Sequence, residues 1–120
     1  MITHIGTAML YVSDQEASLA FYRDLLGFSV VTDQDMGNDA RWLELSTPEG
    51  STTIALHDAA RDGKQPGEGA YLTFACDDVT ATVEELRSKG ADVSEPHEQP
   101  WGTFAFVEGP DQHRVQIHQK

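Results

Sequence analysis

A chain of 120 residues has room for one substantial core and too little for two independent domains, so any subdivision has to be internal. Apolar residues make up 39% and charged residues 23%, a composition that argues against disorder and against a membrane-spanning segment. The 20 acidic side chains outweigh the 8 basic ones, and a net charge of −12 repels a polyanion over most of the surface, which excludes nucleic acid as a partner. The acidity leans towards a cationic ligand, although a solvated acidic surface that aids solubility is the plainer reading.

From the N-terminus, Met1 to His4 carry no basic region followed by an apolar stretch, so no signal peptide is expected and a cytoplasmic location is the natural one. Thr7 to Val12 is β-rich. Ser13 with Glu16 forms a capping-box pattern, and Ala17, Ala20, Phe21 and Leu25 recur at helical spacing up to Gly27, which can take the left-handed stop conformation. Three extended stretches follow, Phe28 to Thr32, Arg41 to Leu45 and Thr52 to His57, separated by turn-forming residues. The order is βαβββ.

The polar, glycine-containing stretch 59–69 reads as a connector. From Ala70 the order begins again. Tyr71 to Cys76 forms the strand, Asp77-Asp78 the helix entrance, and Val79, Val83 and Leu86 the apolar stripe up to Gly90; Asp92 to Ser94, Thr103 to Val107 and Arg114 to His118 are the last three strands. Cys76, the single cysteine, permits no intrachain disulfide and no CxxC motif, and reads as a buried strand thiol. The predicted fold is therefore α+β, two βαβββ modules in tandem (1–58 and 70–120) curling around a shared cleft within one domain.

Strand alternation assigns the faces. Leu43 and Leu45 suit the helix side and leave Trp42 and Glu44 for the cleft; by the repeat, Phe104 and Phe106 take the equivalent places. Thr7, Met9, Tyr11, Ala55 and His57 should face inward from the first module, and Tyr71, Thr73, Ala75, Gln116 and His118 from the second, with Trp101 in the loop at the mouth. The aromatic members of this set either fill the core between modules or touch a ligand, and as a set they favour the ligand. Glu44, a carboxylate among rings, is in order of preference a rim residue, an anchor for a cationic group, or a general base. His4, His97 and His113 fall in loops or at a strand entrance and are expected to be solvated.

Met9-Leu10-Tyr11-Val12-Ser13-Asp14, Ser18-Leu19-Ala20-Phe21-Tyr22 with Leu26-Gly27-Phe28, Arg41-Trp42-Leu43-Glu44-Leu45, Phe74-Ala75-Cys76-Asp77-Asp78-Val79, Gly90-Ala91, Pro100-Trp101-Gly102 and Gly109-Pro110-Asp111-Gln112-His113-Arg114 carry a resemblance that covers essentially the whole chain. It resembles the vicinal oxygen chelate superfamily, which comprises the glyoxalase, bleomycin-resistance and extradiol dioxygenase proteins. The helix motif ending in Leu-Gly-Phe is its most specific part. The resemblance implies that modules often pair across chains, hence a homodimer. It also implies four His/Glu/Gln metal ligands, whose positions here are Thr7, Ala55, Tyr71 and Gln116. Only Gln116 is an ordinary donor, so no metal is expected there, and the chain is placed with the metal-less, bleomycin-resistance-like branch, with no cofactor.

His57 and His118 stand two residues further along their strands and form a conceivable displaced metal site, though an imidazole touching a ligand is the plainer reading. No phosphate loop, nucleophile elbow or Ser-His-Asp spacing is present. Two functional classes remain. One is a protein that sequesters an aromatic or polycyclic metabolite or antibiotic; the other is an enzyme of the same fold using a displaced metal or Glu44, His57 or His118 as acid or base. No catalytic residue is assigned.

Overall fold

The computed structural model describes residues 1–120 and divides into two compact units, Met1–Ala70 and Tyr71–Lys120. In the first, the strands β1 (Thr7–Val12), β2 (Ser29–Gly37), β3 (Ala40–Ser46) and β4 (Thr53–Asp58) form a sheet of order β1-β4-β3-β2, with helix α1 (Gln15–Leu19) after β1. In the second, β5 (Thr73–Cys76), β6 (His97–Gln99), β7 (Gly102–Glu108) and β8 (Arg114–Gln119) form a sheet of order β5-β8-β7-β6, with α2 (Val79–Ser88) after β5. The topologies match strand for strand, with one parallel pair (β1·β4, β5·β8) beside an antiparallel run. The two βαβββ modules are confirmed.

Both helices start on an aspartate. Asp14 and Asp78 hold nearly the same extended backbone (φ −144 and −148, ψ 105), and their carboxylates accept the free N–H groups of the first turn. The cap of α1 is thus Asp14 and not Ser13; a charged oxygen one residue on serves the exposed amides of Glu16 and Ala17 better than a hydroxyl. α1 does not stay α-helical. Ala20–Leu25 widens into a π-turn, and Phe28 N–H reaches back to Tyr22 C=O across Gly27, whose φ of 82° makes the predicted stop.

Alternation decides burial. Leu10, Val12, Leu43, Leu45, Ile54 and Leu56 are buried in the first unit, and Val79, Val83, Leu86, Ala105, Val107, Val115 and Ile117 in the second. The intervening residues of β3 and β7 are half-buried. Phe28 is buried edge-on against Tyr22.

Several boundaries move. β2 runs on to Gly37, where Asn38 and Asp39 turn the chain with positive φ. β5 starts at Thr73 and not Tyr71. Asp92 to Ser94 makes only a bridge, Val93 to Val107, and the edge strand is His97–Gln99, solvent-exposed and held to β7 through its backbone. Its side chains carry no apolar alternation, so the sequence pattern passes it over. The stretch 59–69 is no free tether either: Ala59 is fully buried, and Gly67 to Ala70 bond along the outer edge of β1.

Tyr22 is 1% exposed and its hydroxyl has no hydrogen-bond partner; burial pushes its pKa well above the ordinary value. Removing the orphaned hydroxyl is expected to help, so Tyr22→Phe should stabilise the fold by about 1 kcal/mol at pH 7. Below pH ~10 both folded and unfolded chains keep this proton. Above it the unfolded tyrosine ionises first, so its contribution falls by about 1.4 kcal/mol per pH unit until the raised folded value is reached. Urea unfolding at pH 7 and pH 11 tests this: the advantage of Tyr22→Phe should widen at the higher pH, an unchanged gap would show that burial does not hold the proton on, and a loss of stability in Tyr22→Phe at pH 7 would show that the hydroxyl is satisfied.

Candidate functional site

In the first unit, strand pairing brings the expected residues onto one sheet face. Met9 and Glu44 both pair with Ala55, Tyr11 pairs with His57, and Thr7 with Thr53. The His57 ring packs tilted against Tyr11 (5.8 Å) and edge-on to Trp42 (5.0 Å), and Lys64 from the 59–69 stretch lies over the Tyr11 ring at 5.7 Å. His57 Nδ1 is 3.4 Å from the Asp62 carboxylate, while its Nε2 is buried without a partner. Trp42 Nε1–H donates to Glu44 Oε1 (2.9 Å), and Thr53 Oγ1–H donates to Glu44 Oε2 (2.8 Å). Both Glu44 oxygens are therefore engaged within the sheet. A cavity of about 120 Å³ opens beside Trp42, His57, Arg41, Arg61, Asp58 and Asp62.

Arg41 frames this cavity rigidly. Its guanidinium forks onto Asp33 (Nε and Nη2, both 2.8 Å) and reaches Glu16 (2.6 Å), while its carbonyl accepts from Gln15 Nε2. The hydrogen bonds from Arg41 hold the Asp33 carboxyl below the usual carboxylate range, and Asp33 in turn raises the Arg41 guanidinium.

In the second unit the aromatic residues form a stack. Trp101 lies parallel to Phe104 (5.3 Å, 9°), His97 stacks on Phe104 (5.1 Å, 23°), and Phe106 meets Phe104 edge-on (5.6 Å, 76°). Arg114 covers the Phe106 ring at 4.8 Å and is held by Glu108 at 2.6 Å. Phe106 and Arg114, with Asp92, Ser94, His97 and Glu108, line a cavity of about 410 Å³, within the range of small-molecule sites. Phe104 pairs with His118, whose Nδ1 is 2.7 Å from Thr73 Oγ1, and Phe106 pairs with Gln116. Tyr71 lies ahead of β5 and is 74% exposed.

Of the histidines expected to be solvated, His97 is exposed and His113 is not. His97 is solvent-exposed but not loose: it sits opposite Phe104 on β6 and is a full member of the stack. His113 is buried, closing the Pro110–Gln112 turn with its backbone N–H on Pro110 C=O. The spacing of Pro96 and Pro100 around His97-Glu98-Gln99 was the available signal for an exposed edge strand.

The donor set does not suit the metal that the fold's enzymes use. Thr7 Oγ1 is hydrogen-bonded to Thr53, and Ala55 offers a buried methyl group. No group of three His, Cys, Asp or Glu side chains gathers closely enough to hold an ion, and His57 and His118 already face Asp62 and Thr73. No helix is long and apolar enough to cross a membrane.

Comparison with known proteins agrees with this architecture. A solved structure of TnmS3, an antibiotic binding protein from a Streptomyces species, superposes with a TM-score of 0.86 at 32% identity, covering 98% of this chain and 96% of that one. YetH of Bacillus subtilis is 31% identical over 112 residues, 92% of this chain and 93% of its own. A probable lactoylglutathione lyase of Synechocystis is 29% identical over 119 residues, 92% of this chain and 91% of its own. The family model for the glyoxalase/bleomycin resistance protein/dioxygenase superfamily matches residues 2–117, and with the paired βαβββ modules in place the chain belongs to that superfamily.

Proposed function

We propose that this protein binds a planar aromatic small molecule, an antibiotic or aromatic metabolite, and releases it unchanged. The observation that carries the reading is the Trp101–Phe104–His97 stack: Trp101 leaves most of its surface open while one face is fixed on Phe104, an arrangement that presents a ring to a ligand at little entropic cost. The cavity beside Phe106 supplies the volume, and Asp92, Ser94 and Arg114 the few polar contacts that orient a ligand. In the first unit Trp42, Tyr11 and His57 repeat the pattern on a smaller scale. The similarity to TnmS3, described as antibiotic binding, points the same way. On this reading the chain would stand with the metal-less branch of its superfamily and act as a cytoplasmic homodimer whose half-covered sheet faces are its binding walls.

The competing reading is an enzyme. It draws on the lactoylglutathione lyase relative and on the His57–Asp62 pair, in which a carboxylate orients an imidazole as in general-base sites. The donor set argues against the metal-dependent form of that chemistry.

Titration of tryptophan fluorescence with polycyclic antibiotics and aromatic metabolites, followed by mass analysis of the recovered compounds, separates the two. Saturable binding at micromolar or tighter Kd with ligand mass unchanged is the expected result. A panel without any saturable change would sink the binding reading, and a compound recovered altered would establish the enzyme.

A further inference from the structure

We infer that Glu44 is the positioning residue for Trp42 and tunes that ring to prefer an electron-poor or cationic planar partner; this rests on the reading of the sheet face as a binding wall. The geometry is a chain of hydrogen bonds across three strands. Thr53 Oγ1 lies 2.8 Å from Glu44 Oε2, 2.9 Å from Thr7 Oγ1 and 3.3 Å from Gly6 C=O. A hydroxyl has one proton, and the short bond to a carboxylate takes it, so Thr7 must donate to Thr53. Protons thus run from β1 through β4 to β3, and the chain ends on Glu44, which also receives Trp42 Nε1–H. Across the strands Glu44 is flanked by the methyl group of Ala55 on β4 and by Thr32 on β2.

Two consequences follow from a half-buried carboxylate bonded to an indole N–H. Trp42 and Glu44 are two residues apart on one strand face, so the bond runs along the strand and ties down the indole, and the His57 ring edge-on to it confines it further. The ring is then rigid before a ligand arrives. The anionic acceptor in the indole plane also polarises the ring and deepens the negative potential over its face, strengthening attraction for a cation or an electron-deficient ring. Glu44 acts through Trp42: its oxygens are turned into the sheet, unlike the direct anchor for a cationic group that ranks second, after a rim residue, among its sequence readings. The cavity beside Trp42, about 120 Å³, holds a small ring system and not a drug-sized molecule.

The test uses the full ¹⁵N-labelled chain and a pair of probes alike in shape, N-methylquinolinium and 1-methylnaphthalene. The two indole N–H signals are assigned with Trp101→Phe. In the wild type the Trp42 signal should lie downfield of the Trp101 signal and exchange more slowly. The cation should bind at Trp42 about fivefold tighter than its neutral counterpart. Glu44→Gln keeps the shape and removes the charge, so the Trp42 signal should move upfield and the preference fall to roughly twofold or less. Glu44→Ala should weaken both probes. Equal wild-type binding of the two probes, or a Trp42 signal and preference untouched by Glu44→Gln, overturns this inference alone. Binding of neither probe while the panel compounds also fail overturns the binding reading and this inference together.

Discussion

Replacing Gly69 by valine is expected to destabilise the protein by about 3 kcal/mol. Gly69 bridges Leu10 with φ +114°, a backbone conformation that L side chains rarely adopt. A Cβ at that position would lie 2.3 Å from Met9 C=O and 2.9 Å from Leu10 Cα, and both are backbone atoms that cannot swing away. Accommodating it means peeling the stretch from β1, with loss of the bonds Tyr11 N–H to Glu68 C=O, Gly67 N–H to Tyr11 C=O and Ala70 N–H to Met9 C=O. Each net backbone bond is worth about 1 kcal/mol, which sets the estimate. The thermal midpoint should fall by on the order of 10 °C. Gly63→Ala is the control, since Gly63 also has a positive φ but nothing within 4 Å of its Cβ position, so only the backbone strain is felt. If Gly69→Val melts as Gly63→Ala does, the edge pairing contributes nothing. The substitution also reaches the site, because Tyr11 and Lys64 are held together by this same stretch.

This pairing was invisible in the sequence for a physical reason. The stretch 59–69 is polar and glycine-rich, its bonds to β1 are made by backbone groups, and no side-chain pattern records them. β6 was missed in the same way. Where side chains decide, the sequence was readable: the period-two alternation of Trp42-Leu43-Glu44-Leu45 and of Phe104-Ala105-Phe106-Val107 assigned both faces of both sheets, and the structure buries Leu43, Leu45, Ala105 and Val107 as expected. The cap moved from Ser13 to Asp14 because both residues are good caps and only the backbone angle selects one. Partners one strand away lay beyond reach. Trp42 and Glu44 could be placed on one face, but Thr53 as the brace of Glu44, and His97 as a ring of the Phe104 stack, depend on register, which turn lengths fix and composition does not.

That register also makes the members of the second-unit stack unequal. Phe104 is its shared ring, touching Trp101, His97 and Phe106, whereas Trp101 stacks on Phe104 alone. Phe104→Ala would therefore remove one ring, release Trp101 and leave His97 only its edge contact with Phe106, while Trp101→Ala removes a ring and leaves the rest of the wall in place. A fully stacked aromatic contact is worth about 1 kcal/mol beyond its area, and each 1.4 kcal/mol is a factor of ten in affinity. For any aromatic compound that titrates the wild type, Phe104→Ala should raise Kd by roughly 10- to 100-fold and Trp101→Ala by roughly 3- to 10-fold. Isothermal titration serves for the Trp101 variant, which loses one of the two fluorophores. His97→Ala should fall between the other two, because His97 stacks on Phe104 and also meets Phe106 edge-on at 6.1 Å. Circular dichroism and the thermal midpoint of each variant separate lost contacts from lost fold: Phe104 is only half-buried, so its truncation should leave the sheet standing. Equal and small effects of all three substitutions would place the ligand elsewhere on the protein, whereas a Trp101 effect exceeding that of Phe104 would mean that the exposed ring binds on its own and the stack beneath it is only support.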